Sequence, residues 1–491
     1  MNLYRSYTNY SIVILVALLH PNAFAQEESA SRSETTENTV TITTSHNGET
    51  RRWRNSTGVT DFNIESRGKI EVTDDDRDIK SISNDGYLEI TKTVFGSKRA
   101  IVIESLGGGE IKKEYYEGRT KMEWDPNGKN WLAEILPEIV RSTTLGAEGR
   151  VNRIYAKDGV GGVVAELSRL DGDYTASHYA KLLLDKNISA SELPSAIKGI
   201  ADAIDSDYYL STVLQSNVSR LLSTPDAANA FLQGTKKIGS AYYKSVVLKE
   251  AAKKLAGSPS QVRTILQSAS EIDSDYYLSV VLTTLLEQKD LKDESIKDLI
   301  PVSTKIPSDY YRTQVLNKAL NKTSLSNDAL KNVITALKDI NSDYYKTGVF
   351  NTMAERMTME SDAQIQMINQ IKETVQSDYY ASITMKNVLK NQRLTDESFR
   401  LLVNVSSEFN SANYAADVLK AAADKDLSKN QLMDILKASG NINSDHYLTE
   451  VLLRLSDQVR SSDSSVKDAY RSAAKNIDSD TYYGRAVKAI D

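Results

Sequence analysis

The aspartates and tyrosines of this chain have the spacings that invite a chemical reading. Asp74, Asp75, Asp76 and Asp78 fall within the stretch VTDDDRDI. Carboxylates so close together suit a Ca²⁺ ion or a general acid–base pair. Their spacing does not match an EF-hand loop, and a solvated loop between strands is the better reading. Asp205 and Asp207 flank Ser206 in the geometry of a carboxylate dyad, but helix capping already accounts for them. Glu114 and Glu123 complete the candidate acids. The four histidines, His20, His46, His178 and His446, stand far apart, and the chain has no Cys. That pattern offers no zinc centre, thiolate nucleophile or disulfide. The run ESLGGGE leads into another strand-like segment and reads as a hairpin turn, not a phosphate cradle. We therefore assign no catalytic residue, no metal ligand and no cofactor, and expect a protein that is not an enzyme.

The tyrosines follow a repeat. Ser-Asp-Tyr-Tyr or a close variant begins at Ser206, Ser240, Ser274, Ser308, Ser342, Ser377, Ser411, Ser444 and Ser479, with a period of about 34 residues. A weaker copy starts at Gly172. With Ser as position zero, position three is Tyr in all nine: Tyr209, Tyr243, Tyr277, Tyr311, Tyr345, Tyr380, Tyr414, Tyr447 and Tyr482. Position minus two is apolar throughout, from Ile204 to Ile477, and positions seven and eight are usually Val and Leu. Position two is Tyr in six copies, Tyr208, Tyr242, Tyr276, Tyr310, Tyr344 and Tyr379, then Asn413, His446 and Thr481.

This register describes the second helix of a helical hairpin. Ser is the expected N-cap, and Asp in the first turn favours the positive end of the helix dipole. Tyr at three and Val at seven share a face, which places the position-three Tyr in the core between helices. Position two points about 100° away, so its Tyr form a row along one side, the candidate binding surface for an extended peptide or a glycan. Each first helix starts near a Ser with Pro behind it, as in SELPSAI from Ser191 and SPSQV from Ser258. One hairpin buries too little apolar surface to stand alone, so neighbours must stack.

The elements around the repeat follow from composition. Residues 1–25 read as a signal peptide: an apolar run, SIVILVALL, precedes Ala23 and Ala25 at small-residue positions, with cleavage after Ala25. Residues 26–37 form a polar, disordered linker. Over 38–118, segments such as DFNIES and YLEITKTV alternate apolar and polar residues between turns, a small antiparallel β domain. Residues 119–149 make a connector with a helix to about Ser142, and 150–491 the repeat domain. The fold class expected is α+β: a small antiparallel β domain, then a right-handed α-solenoid of about ten hairpins. With 60 basic and 66 acidic residues the charge is balanced, which argues against a nucleic-acid partner.

The array resembles α-solenoid families of the HEAT and tetratricopeptide kind, though the tetratricopeptide Trp–Leu-Gly–Tyr pattern is absent. Its I-x-S-D-Y helix pairs are also similar to exported repeat regions of bacterial envelope proteins, some fused to sensor-type membrane metallopeptidases. This chain lacks the HExxH of those enzymes, so the resemblance implies a binding or sensing accessory. The expected function is a non-enzymatic scaffold, periplasmic or secreted, that presents its Tyr surface to a protein, peptide or glycan and does not span the membrane in mature form. Val487 and Ile490, in a last unit without a polar cap, offer a route to self-association. The alternative is a glycan-acting or other hydrolase using Asp74–Asp78, Glu114 or Glu123 in or near the β domain.

Overall fold

The computed structural model describes residues 38–44, 50–322 and 324–491. The expected signal peptide and linker, His20, His46 and the turn at Asn47-Gly48 lie outside the described residues. The period-two segments fold as strands β1 (Asn38–Thr44), β2 (Thr50–Thr57), β3 (Thr60–Arg67), β4 (Ile70–Val72), β5 (Ile79–Ile82), β6 (Tyr87–Val94), β7 (Ser97–Gly107), β8 (Glu110–Glu117) and β9 (Thr120–Met122). Seven make one antiparallel sheet in the order β1-β2-β3-β6-β7-β8-β9, while β4 and β5 pair separately. Register lines up one apolar row across the sheet, from Ile42 through Trp53, Ile64, Ile90, Ile101 and Tyr115 to Met122. One face is thus apolar and one wet.

Helix α1 (Lys129–Ser142) covers the apolar face. Its Trp131, Leu132, Ile135, Leu136, Ile139 and Val140 recur at helical spacing and are buried in one core with Ile64, Ile90 and Ile101. Two segments read from sequence as connector, β9 and α1, are therefore parts of this layer. A sheet with one apolar face cannot be left uncovered, and α1 is what covers it. The chain enters α1 through a π-helical turn, Trp124–Gly128. A Cβ at Gly128 would stand 2.7 Å from both Trp124 and Tyr115, so only glycine fits there.

The chain divides into two compact units, at Val213–Leu214. The first holds the sheet, α1, α2 (Ala147–Leu167), α3 (Asp173–Leu184), α4 (Leu193–Ala203) and the start of α5 (Asp207–Ser216). The N-cap of α4 is Glu192, one residue beyond the Ser191 expected from sequence.

In the second unit, after α6 (Val218–Leu221), helices come in pairs: α7 (Pro225–Thr235) and α8 (Ala241–Leu255), α9 (Pro259–Ala269) and α10 (Asp275–Glu287), α11 (Asp293–Ser303) and α12 (Asp309–Leu320), α13 (Asn327–Ala336) and α14 (Asp343–Arg356), α15 (Ser361–Thr374) and α16 (Asp378–Asn391), α17 (Asp396–Ser407) and α18 (Ala412–Ala423), α19 (Lys429–Ser439) and α20 (Asp445–Arg460), α21 (Ser464–Ala474) and α22 (Asp480–Lys488). Each helix packs on the helix two further along, odd on odd and even on even. That is the two-layered stacking of a solenoid. Val247, Leu248, Val281, Leu282, Val315 and Leu316, at positions seven and eight, are fully buried between repeats. Position-minus-two Ile residues such as Ile238, Ile306 and Ile340 are buried too, while Val375 and Phe409 are half-buried.

The repeat Ser is the N-cap residue at Ser240, Ser274, Ser308, Ser342, Ser377, Ser411, Ser444 and Ser479. Its hydroxyl does less than expected. At Ser240, Ser274, Ser308 and Ser444 it accepts from the position-three amide over a long 3.4–3.5 Å, and at the other four it makes no capping bond. The Asp at position one carries the larger role. It sits in the first turn of its own helix and accepts from the backbone of the next repeat. The Ser308 amide donates to Asp275 at 3.0 Å, and those of Gln376 and Ser377 to Asp343 at 3.0 and 2.8 Å. Ser411 reaches Asp378 at 2.8 Å, while Asp478 and Ser479 reach Asp445 at 3.1 and 2.8 Å. Where position one is Ala412, the Ser444 amide turns instead to the Ile442 carbonyl, at 3.0 Å.

Asp309 accepts from the amides of Asn341 and Ser342 at 3.4 and 2.9 Å. Asp309→Ala should destabilise that junction by about 1–3 kcal/mol, the penalty for leaving a hydrogen-bonding group without its partner. Native-state hydrogen exchange should read this as roughly 5- to 150-fold faster exchange at those two amides, with Ala412→Asp protecting Ser444 in return. Unchanged protection in both variants would refute the bridge.

Candidate binding surface

The repeat places its two tyrosines at the start of each even helix, and the stacking makes them meet. Within a repeat, Tyr276 lies edge-on to Tyr277 with ring centroids 5.1 Å apart. Across the junction Tyr276 meets Tyr311 of the next repeat at 5.8 Å, again edge-on. The same two contacts recur down the array at 5.0–6.4 Å, so rings interlock without a gap from Tyr243 to Tyr414. Edge-to-face packing at this distance is the favoured aromatic geometry. Asn413 then interrupts the ladder, and among the described residues no ring contact joins Tyr414 to Tyr447. His446 restores it as a ring at position two, 5.0 Å from Tyr447 and 5.8 Å from Tyr482. In the first unit Tyr174, Tyr209 and Tyr208 make the same contacts at 6.0 and 5.0 Å.

The two positions divide differently from the sequence expectation. The position-three tyrosines, from Tyr209 to Tyr482, are half-buried and do not lie in the core. They fall in the first helical turn, between the position-two rings of their own and the preceding repeat, as Tyr277 lies between Tyr276 and Tyr242. Tyr208, Tyr242, Tyr276, Tyr310, Tyr344 and Tyr379 are exposed, between 39 and 64%. In the second unit the only other large apolar side chain so exposed, among the described residues, is Tyr483. The phenol hydroxyls of Tyr242, Tyr276, Tyr310, Tyr344 and Tyr379 reach no protein partner among the described residues.

Two further positions shape the surface, and sequence reasoning missed both. Where position two is Tyr, position five is a small hydroxyl residue, buried and bonded within its own helix: Ser245 and Ser279 donate to the carbonyls of Tyr242 and Tyr276 at 2.7 Å, and Thr313 to Tyr310 at 3.0 Å. Position six, one turn beyond position two on the same face, is uncharged wherever the second unit has Tyr at two: Val246, Val280, Gln314, Gly348 and Ile383. It becomes Asp417, Glu450 and Arg485 where position two is Asn413, His446 and Thr481. The exposed rings therefore border an uncharged strip.

The candidate acids of the first unit are held apart by cations. Asp76 accepts from Arg150 at 3.0 and 2.8 Å and from Arg153 at 2.7 Å. Asp78 meets Lys113 at 2.6 Å, and Asp74 stands exposed beside Arg153. The Thr73 hydroxyl and the Arg77 amide lower the pKa of Asp75. Arg150 is buried and also bonds Glu166 and the Tyr179 hydroxyl, each at 2.7 Å. Burial alone would lower its pKa, but Tyr179, Asp76 and Glu166 outweigh that and raise it. The Asp run is thus an ion-pair anchor between the β4–β5 loop and α2, not a set of oxygens converging on a cation. Glu114 lies on the wet face of the sheet, where Lys121, Tyr116 and Lys112 pull its pKa to about 2, far too acidic to donate a proton at neutral pH. Glu123 is exposed before the Trp124–Gly128 turn. For the Asp205–Asp207 pair, capping remains the better account, since position-one carboxylates of the second unit, such as Asp275 and Asp309, accept backbone amides of the next repeat. Asp173 in the weaker copy does so, accepting from Asp205 and Ser206 at 3.0 and 2.9 Å.

The first unit also holds a cleft of ≈ 960 Å³ between β2–β3, the turn at 143–149 and α3. His178 lines it, with its pKa lowered by burial, then by Arg51 and Lys181. Of the other cations there, Lys69 pairs with Glu148 at 3.2 Å and Arg52 with Glu65 at 2.7 Å. Near the C-terminus, Ile490 is buried and Val487 half-buried, so this chain already covers much of the apolar surface expected to be open there. Among the described residues no helix is long and apolar enough to cross a membrane.

No protein-family profile matches the chain, and no curated protein matches it. Among solved structures it is similar to one described as "Computational Design of Self-Assembling Cyclic Protein Homooligomers", at 12% identity over 68% of this chain and 92% of that chain. The TM-score is 0.11, and at that score the likeness carries no weight.

Two measurements probe this arrangement. A double-mutant cycle on Tyr276→Ala and Tyr311→Ala should give a coupling of about 0.5–1.5 kcal/mol, whereas Tyr276 with Tyr345, which share no ring contact, should give none. Arg150→Leu should cost on the order of 3 kcal/mol in denaturant unfolding, since it removes the buried cation and leaves Asp76 and Glu166 only the more exposed Arg153, Arg141 and Arg169. Loss of under about 1 kcal/mol, typical of exposed pairs such as Arg400–Asp434, would mean the anchor is not structural.

Proposed function

We propose that the protein is a non-enzymatic binding scaffold of the bacterial cell envelope that holds a protein or peptide segment on its Tyr surface. One observation carries this reading: in the second unit the exposed large apolar side chains are concentrated at a single position of a stacked repeat. Scattered apolar residues on a surface need no explanation, but a contiguous row is the mark of an interaction site. Tyr suits the task, since it offers a broad apolar face, a hydroxyl and few rotatable bonds to immobilise. Among the candidate acids, Asp76 and Glu114 are already engaged by cations, which weighs against the hydrolase alternative. Export rests on the signal-like residues 1–25, and places the mature protein in the periplasm or outside the cell, beginning at Gln26.

The test is capture from envelope extract, using as bait the protein recovered from the periplasmic fraction with Gln26 as its first residue. Wild type should retain defined polypeptides that a Tyr276→Ala, Tyr310→Ala, Tyr344→Ala triple variant loses. Equal capture by the folded triple variant would sink the surface, and recovery of uncleaved protein in the cytoplasm would sink the location.

A further inference from the structure

We infer that the Tyr surface of the second unit receives a neutral, proline-rich segment in the polyproline II conformation, laid along the ladder with one turn per repeat. This rests on the scaffold reading above and names its partner.

Spacing is the first argument. Between one exposed ring and the next lie two ring-to-ring legs of 5.1 to 6.4 Å. They cap the step at about 12 Å, and packing of neighbouring helices sets it near 8–10 Å. A polyproline II helix repeats every three residues at about 3.1 Å each, so the same edge returns every 9 Å or so. An added β-strand presents the same face every 6.7 Å or so, out of step with the rings. An amphipathic α-helix needs a groove to bury an apolar stripe at least 100° or so wide. Here each helix offers a single exposed ring beside position six.

Chemistry is the second. The polyproline II backbone has no internal hydrogen bonds, so its carbonyls stand free as acceptors. Among the described residues the phenols of Tyr242, Tyr276, Tyr310, Tyr344 and Tyr379 are donors without a protein partner, and their rings would pack against pyrrolidine edges, as in aromatic-lined proline-recognition grooves. Position six alongside is uncharged from Val246 to Ile383 and turns charged where position two is no longer Tyr. That pattern fits a ligand without charge. Five exposed rings, from Tyr242 to Tyr379, span four steps, which a segment of roughly 12–15 prolyl-rich residues would cover.

The experiment is fluorescence anisotropy with a labelled fifteen-residue oligoproline and the purified protein. A Gly-Ser peptide of the same length, a six-residue oligoproline and a hexameric N-acetylglucosamine oligomer serve as comparisons. We expect saturable binding of the long oligoproline that changes less than about 2-fold when salt is raised, since no ion pair contributes. The short oligoproline should bind at least about 10-fold more weakly through loss of rings, and the Gly-Ser peptide not at all. The Tyr276, Tyr310, Tyr344 triple change to Ala should weaken binding roughly 100-fold, and the same triple change to Phe about 10-fold, since it keeps the rings and removes the donors. Circular dichroism establishes that each variant is folded. If the oligoproline fails to bind, or the glycan binds while the oligoproline does not, this inference falls. Should the ladder still capture envelope polypeptides in a Tyr-dependent way, the scaffold reading survives that failure. If capture is also indifferent to the Tyr changes, both fall together.

Discussion

The backbone amide at the bend of a hairpin needs a partner, and wherever position one is Asp in the second unit the repeat supplies it from the neighbouring copy. A carboxylate in the first turn of one even helix accepts from the amides that precede the next even helix. Apolar burial at positions minus two, seven and eight holds the layers together, but it is tolerant of small slips. A carboxylate aimed at one or two N–H groups is not, since a misplaced amide would be left without an acceptor. The bridge therefore fixes the register in which helices stack. Once that register is set, the position-two ring of one repeat has nowhere to go except the edge of the position-three ring in the next. Bridge and aromatic contact occur together at most junctions, but the ladder does not require the bridge: Tyr242 meets Tyr277 at 5.6 Å where position one is Ala241.

The first unit solves a different problem with different means. Its sheet has one apolar face, which α1 closes. The β4–β5 loop carries clustered negative charge that would repel itself if left bare. Arg150 and Arg153 from α2 neutralise it, and Glu166 and Tyr179 complete the buried guanidinium's hydrogen bonds. A buried cation with all its partners is stable in place, whereas a partial set would be costly. The residues that looked most like a catalytic or Ca²⁺ site are thereby the least available for chemistry.

How far the sequence could be read follows from how local each signal is. The hairpins, their period and the apolar positions were legible because each is encoded within one copy. The strands were legible from alternation. The role of the position-one Asp was not, because its partner lies about one full period away and local reasoning finds a sufficient explanation in the helix dipole. Position-three Tyr was misjudged for a geometric reason: sharing a face with a buried Val does not bury a ring that sits in the first turn. The exposed row at position two could be foreseen from the 100° step between residues. Its contact with the following repeat could not. The acid run was misleading because its compensating arginines come more than 70 residues later, at Arg150 and Arg153.

One copy combines three departures. At Ser411 the motif carries Ala412 in place of the bridging carboxylate, Asn413 in place of a ring, and Asp417 in place of an uncharged residue. The interface between α18 and α20 therefore keeps its apolar packing and loses both the clamp and the aromatic interlock that its neighbours share. In a linear array whose cohesion is the sum of nearest-neighbour terms, such a site is a seam. Opening should start there, parting the array into two blocks that melt in turn, as a zipper separates first where a tooth is missing.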